Sequence, residues 1–408
     1  MSKTQQPVTP APTCPVLMSD HLSCGRPIYH APGSADANPL CIMHCRETTK
    51  DPVKFRQEID AILSGTSVDH RPKDRFDFTG FVFPEAHFSG AEFTQNAHFS
   101  GAEFTQNAFD NTKFTQGADF FFAKFIQIAH FSGAEFTQIA HFSRATFTQY
   151  ADFSRATFTQ GVNFSGTEFR RPDLVRFYQV NQKEGAPGLR ARFVQCRVEE
   201  VQFADVNWYR QGGRMVLQDE LDLTDPDPAH PQTHELVAIA YRQLVSNFEK
   251  ARAYDLAEDC KTSAMEMRRL DPKKFLFPKW LESYYKKWRW LRWLGENLSV
   301  ASLYRLTSRY GTSYTRALLV LFGLLVIFGL LFALPWSAIQ REKPSLPLRG
   351  VWNRLGAGLF HSSVDVATRD SLYSVPTRFG HFASALETIL VPAQLALFLL
   401  ALRRRFRH

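Results

Sequence analysis

The sequence predicts a mixed fold: a β-solenoid, followed by a helical hairpin and two transmembrane helices. Three observations predict it. From Phe78 to Phe169 a phenylalanine returns in alternating steps of five and six residues. That period of about eleven fits neither a heptad nor a helical-hairpin repeat, so each unit can bury its apolar face only against the next. Residues 235–270 then carry apolar positions at helical spacing. Finally, residues 317–336 run without a charge, and twenty residues of helix reach roughly 30 Å, enough to cross a bilayer.

In chain order, residues 1–13 form a polar, Pro-containing disordered tail whose start lacks an apolar core, so no signal peptide is expected. Residues 14–50 hold a Cys/His segment. Residues 51–75 are a short helix and linker, with Phe55, Ile59, Ile62 and Leu63 on one helical face. Residues 76–170 are the solenoid. There Ala97/Phe99, Ala102/Phe104, Ala134/Phe136 and Ala151/Phe153 point inward together, because side chains two apart in a strand share a face. The intervening His98, Glu103, Glu135 and Asp152 point outward. His87, His98, His130 and His141 also precede inward phenylalanines, and His98 and His141 are expected in one column with Asp119 and Asn163. Such a ladder suits metal binding or pH sensing, but the histidines read first as tolerated substitutes at outward polar positions.

Residues 171–221 comprise an irregular excursion over 171–192 and a further coil marked by Phe193, Val198, Phe203 and Trp208. An acidic, Pro-rich linker covers 222–231. The hairpin spans 235–271, with helices Glu235–Arg252 and Leu256–Leu270, and is expected to pack on the end of the solenoid.

Net charge is +8, and residues 273–316 alone hold ten Lys/Arg against Glu282 and Glu296. Interleaved Trp and Tyr make this segment an interfacial headgroup-zone element rather than a nucleic-acid patch. The solenoid, with nine acidic and five basic residues between Phe76 and Arg170, excludes a basic nucleic-acid-binding rod. Residues 317–336 are the first transmembrane helix, 337–385 an extracytoplasmic loop, 386–402 the second, and 403–408 a basic tail. Arg305, Arg309 and Arg316 before the first span and Arg403, Arg404, Arg405 and Arg407 after the second put both termini in the cytoplasm. The six cysteines then lie in a reducing compartment, where ligand or free-thiol roles outrank disulfides.

Cys41-x-x-His44 puts two ligands within reach of one ion, and Cys14 and Cys24 complete a candidate tetrahedral, structural zinc site, with Cys45 adjacent. Unligated thiols in an N-terminal arm are the alternative. No phosphate-binding glycine loop, Gly-x-Ser-x-Gly or His-Glu-x-x-His is present, so no enzyme activity is expected.

The Ala-(His/Glu/Asp)-Phe-(Ser/Thr) units resemble the pentapeptide-repeat family, which implies a right-handed quadrilateral β-helix. An extra residue in every second unit (Asn96, Ile128, Ile139, Tyr150, Gly161) predicts coils of about 22 rather than 20 residues, four to five of them in the repeat. Family members that mimic duplex DNA present a strongly acidic face, which this repeat lacks. Cys24–Ile28 and Cys41–His44 resemble the N-terminal region of some bacterial membrane-linked pentapeptide-repeat proteins, which implies His44 rather than Cys45 as fourth ligand. The basic approach at 303–311, the first span and the run from Ala385 to Arg405 resemble the two-helix pore unit of bacterial potassium-channel-like proteins. The selectivity filter is missing: residues 362–371 contain no glycine, so potassium selectivity is not expected.

The expectation is thus a membrane-anchored interaction or scaffold protein of the bacterial inner membrane. Its expected partners are the bilayer, an unidentified protein and further copies of itself through the membrane helices, with no nucleic acid. A channel-like sensor regulated by the solenoid is the alternative.

Overall fold

The computed structural model describes residues 13–29, 40–46, 50–66, 75–223, 233–271, 300–311, 313–334, 340–341, 346–347, 351–362, 373–374 and 377–406. It divides into two units, residues 1–267 and 268–408.

The first unit is built on a four-sided parallel β-solenoid of six coils, one face of which is a six-stranded sheet running 75–77, 96–98, 118–119, 140–141, 162–163, 191–192. Each face buries one phenylalanine column. Phe78, Phe99, Phe120, Phe142, Phe164 and Phe193 stack at successive centroid spacings of 4.8, 4.9, 4.8, 5.2 and 5.8 Å. The other columns start at Phe83, Phe88 and Phe93. Neighbouring columns meet edge-to-face, as Phe109 does with Phe99 at 5.6 Å and 81°. The aromatic quadrupole favours both offset stacks and edge-to-face contacts, so the rings fill the bore at little strain.

The repeat of about eleven has a backbone cause. One corner in each half coil takes a left-handed conformation, at Gly101, Asn111, Phe122, Gly133, Arg144 and Arg155, with φ between 55 and 67°. Two wall strands and one such corner make a half coil. Coil length departs from the expected 22 in the early turns. Phe83 pairs with Phe104 and Phe104 with Phe125, 21 residues apart, whereas Phe125 pairs with Phe147 and Phe147 with Phe169, 22 apart.

The expected excursion over 171–192 is a correction too. Val175–Tyr178 is a wall strand paired with Ala151 and Gln202, and Ala191–Arg192 pairs with Val162. Pro172–Leu174 forms a short 3-10 turn ahead of the first of these strands, and residues 179–190 lie between the two. Where a fourth-face strand is missing, Asn181 replaces it: its side chain accepts from Phe158 N (2.7 Å) and donates to Phe158 O (3.0 Å).

Helix α1, Pro52–Leu63, is capped by Asp51, whose carboxylate accepts from Val53 and Lys54 N–H, and buries Phe55, Ile59 and Ile62. At the far end an antiparallel pair, 210–211 with 214–215, and α2, Gln218–Asp222, were not anticipated. The expected hairpin is present as α3, His234–Lys250, and α4, Tyr254–Leu270. It packs on the last coil as expected. Phe248 lies 6.0 Å from both Phe203 and Trp208, and Asn247 Nδ2 donates to Val198 O and Val201 O, closing backbone groups no further coil could reach.

In the second unit, most of the expected interfacial segment (residues 272–299) lies outside the described residues. Helix α5 is Val300–Ser308, α6 Tyr314–Ala333, α7 Val351–Phe360 and α8 Arg378–Phe406. Helices α6 and α8 are long and apolar enough to cross a membrane. Helix α8 begins eight residues before the predicted 386 because Arg378 to Ala385 continue helical spacing, and the helix carries Pro392 internally. The predicted loop 337–385 is correspondingly shorter and contains α7. Helices α6 and α7 touch backbone to backbone: a Cβ on Gly358 would meet Gly329 O at 2.2 Å. Gln394 Nε2, from α8, donates to Ala317 O (2.8 Å) and Thr307 O (3.2 Å). Of residues 362–371, where a selectivity filter would fall, all but Ser362 lie outside the described residues.

Candidate metal centre

The ten-position separation of Cys14 and Cys24 is closed by a β-hairpin. Cys14 N donates to Arg26 O, Gly25 N to Cys14 O, and Cys24 N to Val16 O, which sets the two cysteines side by side. A single tight turn does the same for the other pair, since His44 N and Cys45 N both donate to Cys41 O. An i, i+3 pair on such a turn faces one way. Cys45 therefore points elsewhere, with its Sγ 3.7 Å from Ile42 O.

The ligand atoms of Cys14, Cys24, Cys41 and His44 all lie within 4.8 Å of one another, and all four residues are buried. Cys24 and Cys41 sulfurs are 3.8 Å apart, and His44 Nδ1 is 3.5 Å from Cys14 Sγ and 3.1 Å from Cys41 Sγ. A tetrahedral zinc with Zn–S near 2.3 Å and Zn–N near 2.0–2.1 Å sets S–S edges of about 3.8 Å and S–N edges of about 3.6 Å. The 3.8 and 3.5 Å edges match that geometry and the 3.1 Å edge is shorter, so the cluster is geometrically able to hold a metal ion.

Electrostatics point the same way. The Cys41 thiol, hydrogen-bonded to Cys24, holds the Cys24 thiol down to about 3 against the opposing effect of burial, and His44 and Arg26 add to it. Cys41 is pushed far up by its bond to that thiolate and by burial. A cation entering the cluster would displace a proton that two sulfurs share. Arg26 Nη1 lies 3.4 Å from Cys24 Sγ, so a buried guanidinium stands beside a set of three thiolates whose charge would exceed that of a divalent ion by one.

The cluster is tied to the first solenoid coil. His44 Nε2 lies 3.0 Å from Thr79 O and its ring meets Phe81 edge-on at 5.1 Å. Val82 N donates to Met43 O, and Ser19 donates to Asp77 through both its N–H and its hydroxyl. Burial works to raise the Asp77 carboxyl, but the bonds from Ser19 and Thr79 outweigh it and hold the group low. Arg26 and Thr79 carry no sequence signal for these roles. Arg26 is one arginine among many, and Thr79 acts through its carbonyl.

The histidine column forms in the expected register. His98 pairs with Asp119, Asp119 with His141, and His141 with Asn163. His98 Nδ1 is 3.8 Å from Asp119 Oδ2, which also accepts from Ser100 Oγ at 2.7 Å. This spacing makes a surface hydrogen-bonding ladder rather than a converged ligand set.

A family model described as pentapeptide repeats (9 copies) matches residues 123–168, the stretch whose coils are the most regular. The chain therefore carries pentapeptide repeats wound into a β-solenoid. No curated protein and no solved structure matches the chain.

Proposed function

We propose that this chain is a membrane-anchored interaction scaffold that presents its solenoid in the cytoplasm, with a structural zinc in the Cys14/Cys24/Cys41/His44 cluster. One observation carries the reading: the bore is filled from end to end by phenylalanine columns, so only the outer faces and ends can engage a partner. The anchor rests on α6 and α8, only 22% buried over their apolar windows. The core helix of a soluble protein would hide such a surface. The basic flanks at Arg305, Arg309 and Arg316 and at Arg403 to Arg407 support cytoplasmic termini.

The test is fractionation of the full-length protein. Retention in the membrane pellet after alkaline wash, with release only by detergent, is the expected result; a protein recovered in the soluble fraction without detergent refutes the anchor. In-cell crosslinking at outward positions of the solenoid should then capture protein rather than nucleic acid.

A second reading, a channel-like sensor without potassium selectivity, is favoured by one observation. Helix α7 lies in sequence between the two spans and packs closely on α6 at Gly329 and Gly358. Ion flux through reconstituted liposomes decides it: no flux at any pH, zinc level or voltage removes the channel and leaves the anchor.

A further inference from the structure

The solenoid carries a concavity of about 530 Å³ on one corner, whose lining includes Ile139, Thr159, Gln160, Pro187, Arg190 and Tyr209. Its size lies within the range of small-molecule sites, about 300–1,000 Å³. The fold builds it where the chain leaves the wall after Tyr178 and returns at Leu189. The return is tight: a Cβ on Gly188 would meet Tyr209 Cα at 2.6 Å, and one on Gly161 would meet Arg190 O at 2.5 Å. Close backbone approach at these two glycines lets Arg190, Tyr209 and the 159–160 corner share one hollow.

The lining has two arginines and no carboxylate. They are not equivalent. Arg192 is held bidentately by Asp222, at 2.6 and 3.1 Å, and Gln218 Nε2 donates to the same carboxylate at 2.8 Å. Its charge is met inside the protein. Arg190 has no carboxylate partner among the described residues. Its guanidinium lies over the Tyr209 ring, 4.3 Å from the centroid. That contact holds the exposed guanidinium against the ring, and its N–H groups can still reach a planar acceptor. Gln160 and Thr159 add neutral polar groups, and Ile139 and Pro187 an apolar wall.

We propose that this hollow binds a small organic anion, with Arg190 as the residue that takes its phosphate or carboxylate and the Ile139/Pro187 wall as the surface for its apolar part. Bidentate guanidinium–oxyanion pairing is what an arginine without a carboxylate partner offers. The site is separate from the cysteine cluster, and its existence does not depend on the membrane anchor.

The test is calorimetric titration of the full-length protein in detergent with phenyl phosphate, benzoate, inorganic phosphate and, as the neutral control, benzyl alcohol. Saturable binding of phenyl phosphate or benzoate is expected, one per chain and weakened at least tenfold in Arg190→Gln. Whichever of the two binds tighter identifies the oxyanion, and weaker inorganic phosphate marks the contribution of the apolar wall. Tyr209→Leu, which removes the platform without removing a charge, should weaken the same probe, whereas Arg155→Gln, on another corner, should not. The proposal is overturned if neither ring-bearing anion saturates by about 10 mM, if benzyl alcohol binds as well as they do, or if Arg190→Gln leaves binding unchanged.

Discussion

His44 and Thr79 are joined by a 3.0 Å contact between the imidazole Nε2 and a main-chain carbonyl of the first solenoid coil, while Nδ1 of the same ring faces the cysteine sulfurs. A backbone carbonyl accepts only, so Nε2 is the protonated nitrogen and Nδ1 is left as the metal-facing lone pair. One side chain therefore belongs both to the cluster and to the seal over the open end of the solenoid.

Metal content follows from that arrangement. Purified protein should carry one zinc per chain, and chelation should lower the melting temperature and speed hydrogen exchange over residues 13–29 and 40–46. Cys41→Ser combined with His44→Ala should abolish zinc retention at pH 7, as read by elemental analysis. Zinc retained by that double variant would end the assignment.

The phenylalanine columns set the stability of the solenoid. Phe120 and Phe131 are fully buried and each stacks on a ring above and a ring below. Truncation of either to Ala should cost about 3–5 kcal/mol, measured by denaturant unfolding, since a cavity in a filled bore cannot collapse around rigid neighbours. Phe→Leu at the same positions should cost less.

The left-handed corners predict the opposite sign. Arg155 sits at φ 58, in a conformation that glycine adopts without Cβ strain. Arg155→Gly should leave stability unchanged or raise it by up to about 1 kcal/mol. Gly133→Ala should lower it, because φ is 67 there and the new Cβ would meet Asn111 Oδ1.

Asp219 supplies a pH dependence. It is fully buried, accepts from Phe193 N–H at 2.7 Å, and its Oδ1 has no hydrogen-bond partner among the described residues. Burial raises it to about 7 from 3.8. An acid raised in the folded state holds its proton more tightly folded than unfolded. Its stabilising contribution is complete below the unfolded value near 4 and is lost as pH rises through 7. Asp219→Asn should flatten the stability profile between those limits and stabilise the last coil above pH 7, on the order of a few kcal/mol. Thermal melts of the two proteins from pH 4 to 8 read the difference directly.

In the second unit, Gly358→Val should separate α7 from α6, since any Cβ there would collide with Gly329 O. A lower melting temperature in detergent checks it. Gly323→Ala, where a Cβ meets nothing within 4 Å, is the matched control.

Much of this architecture was legible in the order of residues. Solenoid geometry repeats locally, so Phe99, Phe104 and Phe109 announce an inward face without reference to anything distant. The first candidate span shows in the same way, because the twenty uncharged residues of 317–336 need no partner to be recognised. The cysteine cluster was half legible. Cys41 and His44 read as a pair because one turn joins them, whereas Cys14 and Cys24 became neighbours only through a hairpin whose hydrogen bonds no motif encodes.

Burial, register and long-range closure were left to the tertiary structure. It decided that early coils take 21 residues, that Val175–Tyr178 belongs to the wall, and that α8 begins at Arg378. It also decided that Arg190 and Tyr209 share a hollow with Ile139. The physical reason is the same throughout. Side-chain periodicity is a property of neighbouring residues and survives in the linear chain, whereas a metal-ligand set or a cleft is made by backbone segments tens of residues apart meeting at distances of a few ångströms.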